Sequence, residues 1–224
     1  GVADIGFVGE NVVYEKSKKV EVAYSLGFGK CRLSFAVRKN ENFTGPDYLK
    51  GKKIATSYPV LVQAYLNKHS IKAEIHEISG SVEIAPSIGL ADIICDLVSS
   101  GSTLFMNGLK EAETILDSQA VLIKRNSLES PLESILQKLL FRIESVKKAK
   151  RNKYVLLNAP NNNLEKIISL LPGMKSPTVL PLATAGWSSV HSVIDESDFW
   201  EIIEKLKLAG AEGILVVPIE KMIL

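Results

Sequence analysis

The chain has 224 residues, 46% hydrophobic and 23% charged, with 27 basic and 25 acidic side chains and a formal net charge of +2. This is the composition of an ordinary globular protein of one to two domains, and the charge balance gives no footprint for nucleic acid. No secretory signal and no apolar run of spanning length occurs, so the expectation is no membrane partner and a cytoplasmic protein.

The two cysteines, Cys31 and Cys95, lie in apolar surroundings without a Cys-x-x-Cys pair or a His/Cys cluster. That argues against zinc, and no protein metal ligands are assigned. The densest basic cluster, Lys147-Lys148-Ala149-Lys150-Arg151, reads as the end of a helix, where cations complement the dipole. Gly1 opens in the run-in to a strand without an initiator methionine, so a leading segment is expected upstream.

In chain order, Ile5–Val8 reads as a strand and Val12–Lys16 as a helix. Lys19–Tyr24 and Arg32–Val37 alternate as strands around a glycine-rich turn, Leu26-Gly27-Phe28-Gly29. Lys53–Thr56 is a short strand, and Pro59 sits in the first turn of a helix with Val60, Leu61, Ala64 and Tyr65 on one face. A strand is expected over Ile71–Ile75, with His76 and Glu77 at its end. Ile84–Ile88 is read as a short helix, Ala91–Val98 as a strand, and Leu104–Glu113 as a helix. Ala120–Lys124 is a strand, and Pro131–Lys150 a long amphipathic helix. Strands alternating with helices predict a largely parallel α/β sheet.

Within this frame one stretch carries chemistry. Ile93-Ile94-Cys95-Asp96-Leu97-Val98 is a short buried strand, followed by Ser99-Ser100-Gly101-Ser102-Thr103, a loop of hydroxyls and closely spaced N–H groups. Thr103 or Ser102 is expected to cap the helix that follows. Such a loop at a strand's end is suited to a phosphate, and Asp96 would project toward whatever the loop holds. In parallel α/β sheets ligands lie beyond the carboxyl ends of the strands, where both Glu77–Gly80 and Ser99–Thr103 fall. A sugar phosphate fits: hydroxyls for the carboxylate, phosphate for the loop. His69, His76 and His191 have no partnered spacing and receive no role.

After Lys153 the order is strand (Tyr154–Leu157), helix (Leu164–Leu171, ended by Pro172-Gly173), strands (Thr178–Leu182 and Ser189–Ile194), helix (Phe199–Leu206, capped by Ser197) and strand (Gly213–Val217). The order β-α-β-β-α-β is ferredoxin-like. A module of this kind either regulates through a small ligand or serves assembly.

Gly80-Ser-Val-Glu83, Ala85-Pro86, Gly89-Leu-Ala-Asp92 and Asp96-Leu-Val-Ser-Ser-Gly-Ser-Thr-Leu104 closely resemble the signature of the ATP phosphoribosyltransferase family, the first enzyme of histidine biosynthesis. The resemblance continues through Ala55–Pro59, Asn107–Leu109, Leu171–Gly173, Ser176–Thr178 and Pro218–Lys221. It implies a catalytic part at 1–150 with a periplasmic-binding-protein-like fold of two α/β lobes, the second at about 38–108. A C-terminal ferredoxin-like, ACT-like α+β domain follows at 151–224, as in the long, self-regulated form.

The implied reaction joins N1 of the ATP adenine to C1 of phosphoribosyl pyrophosphate (PRPP), with magnesium. The implied catalytic residues are Glu83 and Asp96. The PRPP site comprises Asp92, Asp96, Leu97, Val98, Ser99, Ser100, Gly101, Ser102 and Thr103. Ser100 stands where the family usually has threonine. Histidine is implied as feedback inhibitor at Asn158, Met174, Thr178, Val193 and Gly213, with Asn158 in place of an aspartate found in some members. A homo-oligomer, dimer or hexamer, is implied as well. The rival reading is a catalytically silent two-lobed small-molecule-binding protein, distinguished by whether pyrophosphate is released from ATP and PRPP.

Overall fold

A computed structural model describes residues 2–16, 19–171 and 173–223. Contacts divide the chain into two units, Gly1–Glu129 and Ser130–Leu224.

The first unit runs β1 (Ile5–Gly9), α1 (Glu10–Lys16), β2 (Val20–Ser25), β3 (Cys31–Arg38), β4 (Lys53–Thr56), α2 (Pro59–Lys68), β5 (Glu74–Glu77), β6 (Ile93–Val98), α3 (Ser102–Met106), β7 (Leu109–Ser118) and β8 (Ala120–Arg125). These strands form two sheets, ordered β1-β8-β2 and β5-β4-β6-β3-β7. The chain leaves the smaller sheet between β2 and β3 and returns between β7 and β8, which makes two lobes joined by two crossings. The larger sheet runs from Cys31 to Ser118, wider on both sides than the expected 38–108.

The expectation of a largely parallel sheet needs correction. β4 pairs parallel with β5 and β6, whereas β3 lies antiparallel to both β6 and β7. Only the stretch from Lys53 to Val98 has the crossover connections that make strands parallel. β3 enters this sheet by the crossing from the other lobe and runs opposite to β6, and β7, antiparallel to β3, runs the same way as β6 before the chain crosses back.

The core of the larger lobe follows from the two-residue period of its strands. Leu33, Phe35, Val37, Ile54, Ile93 and Cys95 pack on one side with Val62 and Leu66 of α2. Ala36, Ala55, Ile94 and Val98 pack on the other with Val82, Ala85 and Leu104. β6 is buried on both faces, which explains its unbroken apolar run. Asp96 interrupts that run on the second face, in line with Ile94 and Val98.

Three local expectations fail here. The helix expected over Leu104–Glu113 is the five-residue α3 followed by strand β7. Gly108, at φ 71°, stops the helix in the left-handed conformation glycine tolerates. The Lys110–Glu113 run, although rich in helix formers, then pairs with the free side of β3. Ser102 and Thr103 lie inside the first turn of α3, whose N-cap is Gly101 with no side-chain cap. The Ile84–Ile88 helix is a 3-10 turn at Val82–Ile84 followed by turns.

One contact between the lobes has no local sequence signal. The buried carboxylate of Glu15 on α1 accepts the N–H groups of Val60 and Leu61 at 3.0 Å each. It caps the first turn of α2 from 45 residues away, offsetting the orphan donors of that helix end.

The second unit comprises α4 (Ser130–Arg151), β9 (Asn152–Pro160), α5 (Leu164–Leu170), β10 (Thr178–Pro181), β11 (Trp187–Asp195), α6 (Phe199–Leu208) and β12 (Glu212–Pro218). Its sheet is ordered β10-β11-β9-β12, every neighbouring pair antiparallel. The first and third strands of the β-α-β-β-α-β unit are thus central, as a ferredoxin-like sheet requires. Val155, Leu157 and Ala159 of β9 and Val190 and Ile194 of β11 pack against Ile167 of α5 and Leu206 of α6. The alternate residues, Tyr154, Leu156, Asn158, Ser189, His191 and Val193, lie half-buried on the opposite face. Ser197 does not cap α6. Asp198 holds the N-cap position without a side-chain bond, and the Ser197 hydroxyl donates to Asp195 at 2.6 Å. The expected stop at Pro172 lies outside the described residues.

Candidate active site

At the carboxyl end of β6 the chain turns through Ser99–Gly101, with Gly101 at φ 79°, and enters α3. The turn closes one side of a cavity of about 280 Å³ lined by Glu83, Asp96, Val98, Ser99, Gly101 and Thr103, with Leu97, Ser100, Ile94 and Leu104 completing the wall. Glu83 is brought in by the 3-10 turn Val82–Ile84, reached through the left-handed Gly80 and Ser81. Parallel neighbours β4 and β5 end on the same side.

Asp96 is half-buried, and its Oδ1 accepts the N–H of Leu97 at 2.8 Å. Burial pushes its carboxyl above the usual aspartate range, the Leu97 N–H opposes the shift, and the nearby Glu83 carboxylate adds to it. A like charge facing the same cavity disfavours the ionised form of Asp96, and a group that gives it hydrogen-bond donors, or a cation, would relieve this. In the loop the Ser100 and Ser102 hydroxyls lie 3.0 Å apart, and Ser100 Oγ accepts the Ser102 N–H at 3.4 Å.

The positions expected to bind PRPP are therefore not all together. Asp96, Leu97, Val98, Ser99, Ser100, Gly101 and Thr103 line the cavity with Glu83. Ser102 is not among the lining residues and bonds Ser100 instead. Asp92 precedes the opposite end of β6, about 13 Å from Asp96 at the usual rise per strand residue, and its Oδ2 accepts the Lys53 N–H at 2.9 Å. Cys95 is fully buried, and burial drives its thiol pKa upward, so it is an inert core residue.

In the second unit the five positions expected to bind histidine form two groups. Met174, Thr178 and Val193 line a cavity of about 330 Å³ with Tyr154 and His191. Gly213 lines a separate cavity of about 470 Å³ beside α6. A side chain at Gly213 would meet Asn158 Nδ2 at 3.1 Å, so these two adjoin each other. The groups are linked across the sheet face: Thr178 pairs with His191, Val193 with Tyr154, and Asn158 with Ser189. His191 bonds Tyr154 through Nδ1 at 2.8 Å and Ser189 through Nε2 at 2.9 Å.

The fold agrees with what relatives show. The family model described as "HisG: ATP phosphoribosyltransferase" matches residues 1–145, and "HisG, C-terminal domain" matches residues 149–221. The chain belongs to the ATP phosphoribosyltransferase family. The ATP phosphoribosyltransferase of Cytophaga hutchinsonii is 59% identical over 223 residues, covering 100% of this chain and 78% of that one. That of Bacteroides thetaiotaomicron is 57% identical over 223 residues, with 100% and 79% covered.

Among solved structures, the ATP phosphoribosyl transferase (HisG:HisZ) complex from Thermotoga maritima superposes with TM-score 0.56 at 30% identity, over 62% of this chain and 68% of that one. XAC2383 from Xanthomonas citri bound to ATP shares the fold, with TM-score 0.52, 14% identity and 65% of each chain.

The activity is transfer of phosphoribosyl from PRPP to N1 of ATP with release of pyrophosphate, the first step of histidine biosynthesis. This sets aside the silent binding protein. The chain carries its own C-terminal domain, the organisation of the long form. Arg32, whose Nη1 donates to the Ser99 carbonyl at 3.1 Å, and its ion-pair partner Glu111 carry no signal in the sequence. Arg32 is a lone charge inside an alternating strand, and Glu111 lay in a segment read as helix, so their pairing was invisible.

Proposed function

We propose that the cavity at the end of β6 holds PRPP, with Asp96 on the ribose hydroxyls and the Val98–Thr103 segment around the 5-phosphate. The observation that carries this is the juxtaposition of a half-buried carboxylate with a loop of amides and hydroxyls around one cavity. In the transfer, the N1 lone pair of adenine forms the bond to C1, and the C1–O bonding pair leaves with pyrophosphate. Charge builds at C1 as that bond lengthens, so fixed carboxylates serve the reaction better than a strong base. Asp96 and Glu83 provide such charge. Asp92 is given no substrate contact here, because its carboxylate is engaged at the far end of β6.

The family's reaction uses a metal ion, which we assign as Mg²⁺. Among the described residues no group of three or more His, Cys, Asp and Glu gathers into a cage. The two carboxylates of the cavity suit an ion that keeps several waters and is otherwise held by substrate phosphates. When bound, the ion would neutralise charge on the departing pyrophosphate.

Residues 1–150 would carry the transfer and 151–224 the regulation, a division supported by the separate family matches. Histidine as inhibitor would engage Asn158, Met174, Thr178, Val193 and Gly213 on the sheet face. Homo-oligomers, dimers or hexamers, fit this reading. No described helix is long and apolar enough to cross a membrane, and a cytoplasmic location fits a biosynthetic enzyme. The test is pyrophosphate release from ATP, PRPP and Mg²⁺, with and without histidine. Release that histidine suppresses and Asp96→Ala abolishes is expected, and release indifferent to Asp96→Ala would sink the site assignment.

A further inference from the structure

We infer that Arg32 is a positioning residue for PRPP, holding the carbonyl of Ser99 so that the Ser100 N–H faces the cavity. The inference rests on reading that loop as the phosphate cradle. β3 runs beside β6 with Arg32 opposite Val98, the last residue of β6, which puts its side chain where the loop begins. One guanidinium nitrogen, Nη1, donates to the Ser99 carbonyl at 3.1 Å.

The rest of the guanidinium is not free to move. Its Nε donates to Glu111 Oε1 at 2.5 Å and its Nη2 to Glu111 Oε2, a two-point ion pair. Glu111 is itself held, because Oε1 accepts the Ser34 hydroxyl at 2.8 Å and the Thr114 hydroxyl at 3.3 Å. A guanidinium is planar with its donors in a fixed fork. Seating Nε and Nη2 on the carboxylate therefore sets the direction of Nη1.

The consequence for the loop follows from the peptide plane. The Ser99 carbonyl and the Ser100 N–H share one trans peptide and point in opposite directions. Drawing the carbonyl toward Arg32 turns the Ser100 N–H away from it, into the turn that walls the cavity. Arg32 is not among the residues lining that cavity, and Glu111 balances its charge, so its effect is on loop geometry. A lysine supplies one point charge and cannot hold both Glu111 and Ser99 in this arrangement.

The experiment is steady-state pyrophosphate release by the full chain, with PRPP varied at saturating ATP and then the reverse. Arg32→Gln is expected to raise KM for PRPP about tenfold, the scale of one charge-assisted hydrogen bond, with kcat and KM for ATP within about twofold. Arg32→Lys should behave the same way. Glu111→Gln, which keeps one acceptor, should raise KM for PRPP by about threefold.

An unchanged KM for PRPP in Arg32→Gln overturns the inference, as does full recovery in Arg32→Lys or an equal rise in both KM values. Should Arg32→Gln fail to fold, Glu111→Gln decides, and an unchanged KM for PRPP overturns the proposal. Asp96→Ala, assayed in parallel, separates the two readings. An inactive Asp96→Ala beside an unaffected Arg32→Gln removes only Arg32, whereas an active Asp96→Ala removes the site.

Discussion

The end of β6 and the open face of the C-terminal sheet build their sites in opposite ways. At β6, seven of the lining residues come from the continuous run Asp96–Thr103, so strand, turn and helix place them by local geometry. Ile94 and Leu104 flank that run, and Glu83 is brought from a separate turn. In the C-terminal unit, each of the five expected positions lies on a different strand or loop: Met174, Thr178 and Val193 line one cavity, and Gly213, which adjoins Asn158, lines another. A contiguous motif tolerates changes elsewhere in the fold. A face assembled from four strands depends on register at every pairing, including the irregular one between Glu212 and Leu215.

The strongest way to break the first half of this comparison is Asp96→Ala, which should lower pyrophosphate release by at least about 100-fold. Asp96→Asn should lose activity similarly yet raise the thermal midpoint. The sign follows from linkage: its folded pKa is raised above the ordinary 3.8. The stability this group contributes is present at pH below 3.8 and lost as pH rises through the raised value, so the ionised form costs stability at neutral pH. Glu83→Gln should move the acid limb of the PRPP kcat/KM profile downward, because it removes the like charge that raises Asp96.

Glu15→Ala tests how far the catalytic part depends on a contact between its lobes. Losing two buried hydrogen bonds and the cap of α2 should cost about 2 kcal/mol in urea unfolding. A value near zero would mean that α2 needs no help from α1. Gly213→Ala sharpens the other half, since φ is +56° and the added carbon would press on Asn158 at 3.1 Å. The histidine concentration for half-inhibition should rise about tenfold, roughly the loss of one good hydrogen bond. An unchanged value would detach Gly213 and Asn158 from the ligand. The smallest effect is expected for Ser197→Ala, within about 0.5 kcal/mol of stability, because this exposed residue caps nothing.

Residues close in the chain were legible in the sequence, and residues joined across it were not. Ile93–Val98 announces a buried strand, the Ser-Ser-Gly turn announces its end, and Asp96 between them is the obvious charge. The two helices and four strands after Lys153 are equally plain from periodicity, and their order implies the sheet that forms. By contrast, Leu109–Ser118 carries Lys110-Glu111-Ala112-Glu113, good helix formers that become strand because β3 offers unpaired backbone groups on that side. Propensities of a few tenths of a kcal/mol per residue cannot compete with a strand's worth of hydrogen bonds and burial.

By itself the sequence determined where β6 stops, what the following loop offers a phosphate, and the βαββαβ order of the second unit. All of these follow from neighbours a few residues apart, where steric and hydrogen-bonding preferences act directly. Only the tertiary structure decided that Asp92 binds the Lys53 N–H at the far end of β6, that Glu15 caps α2, that Arg32 reaches Ser99 while clamped by Glu111, and that the regulatory positions form two groups. Each of these needs partners 39 to 79 residues apart or a register between strands. Such pairings are chosen by which faces can be buried together, a property of the folded chain and of no single segment.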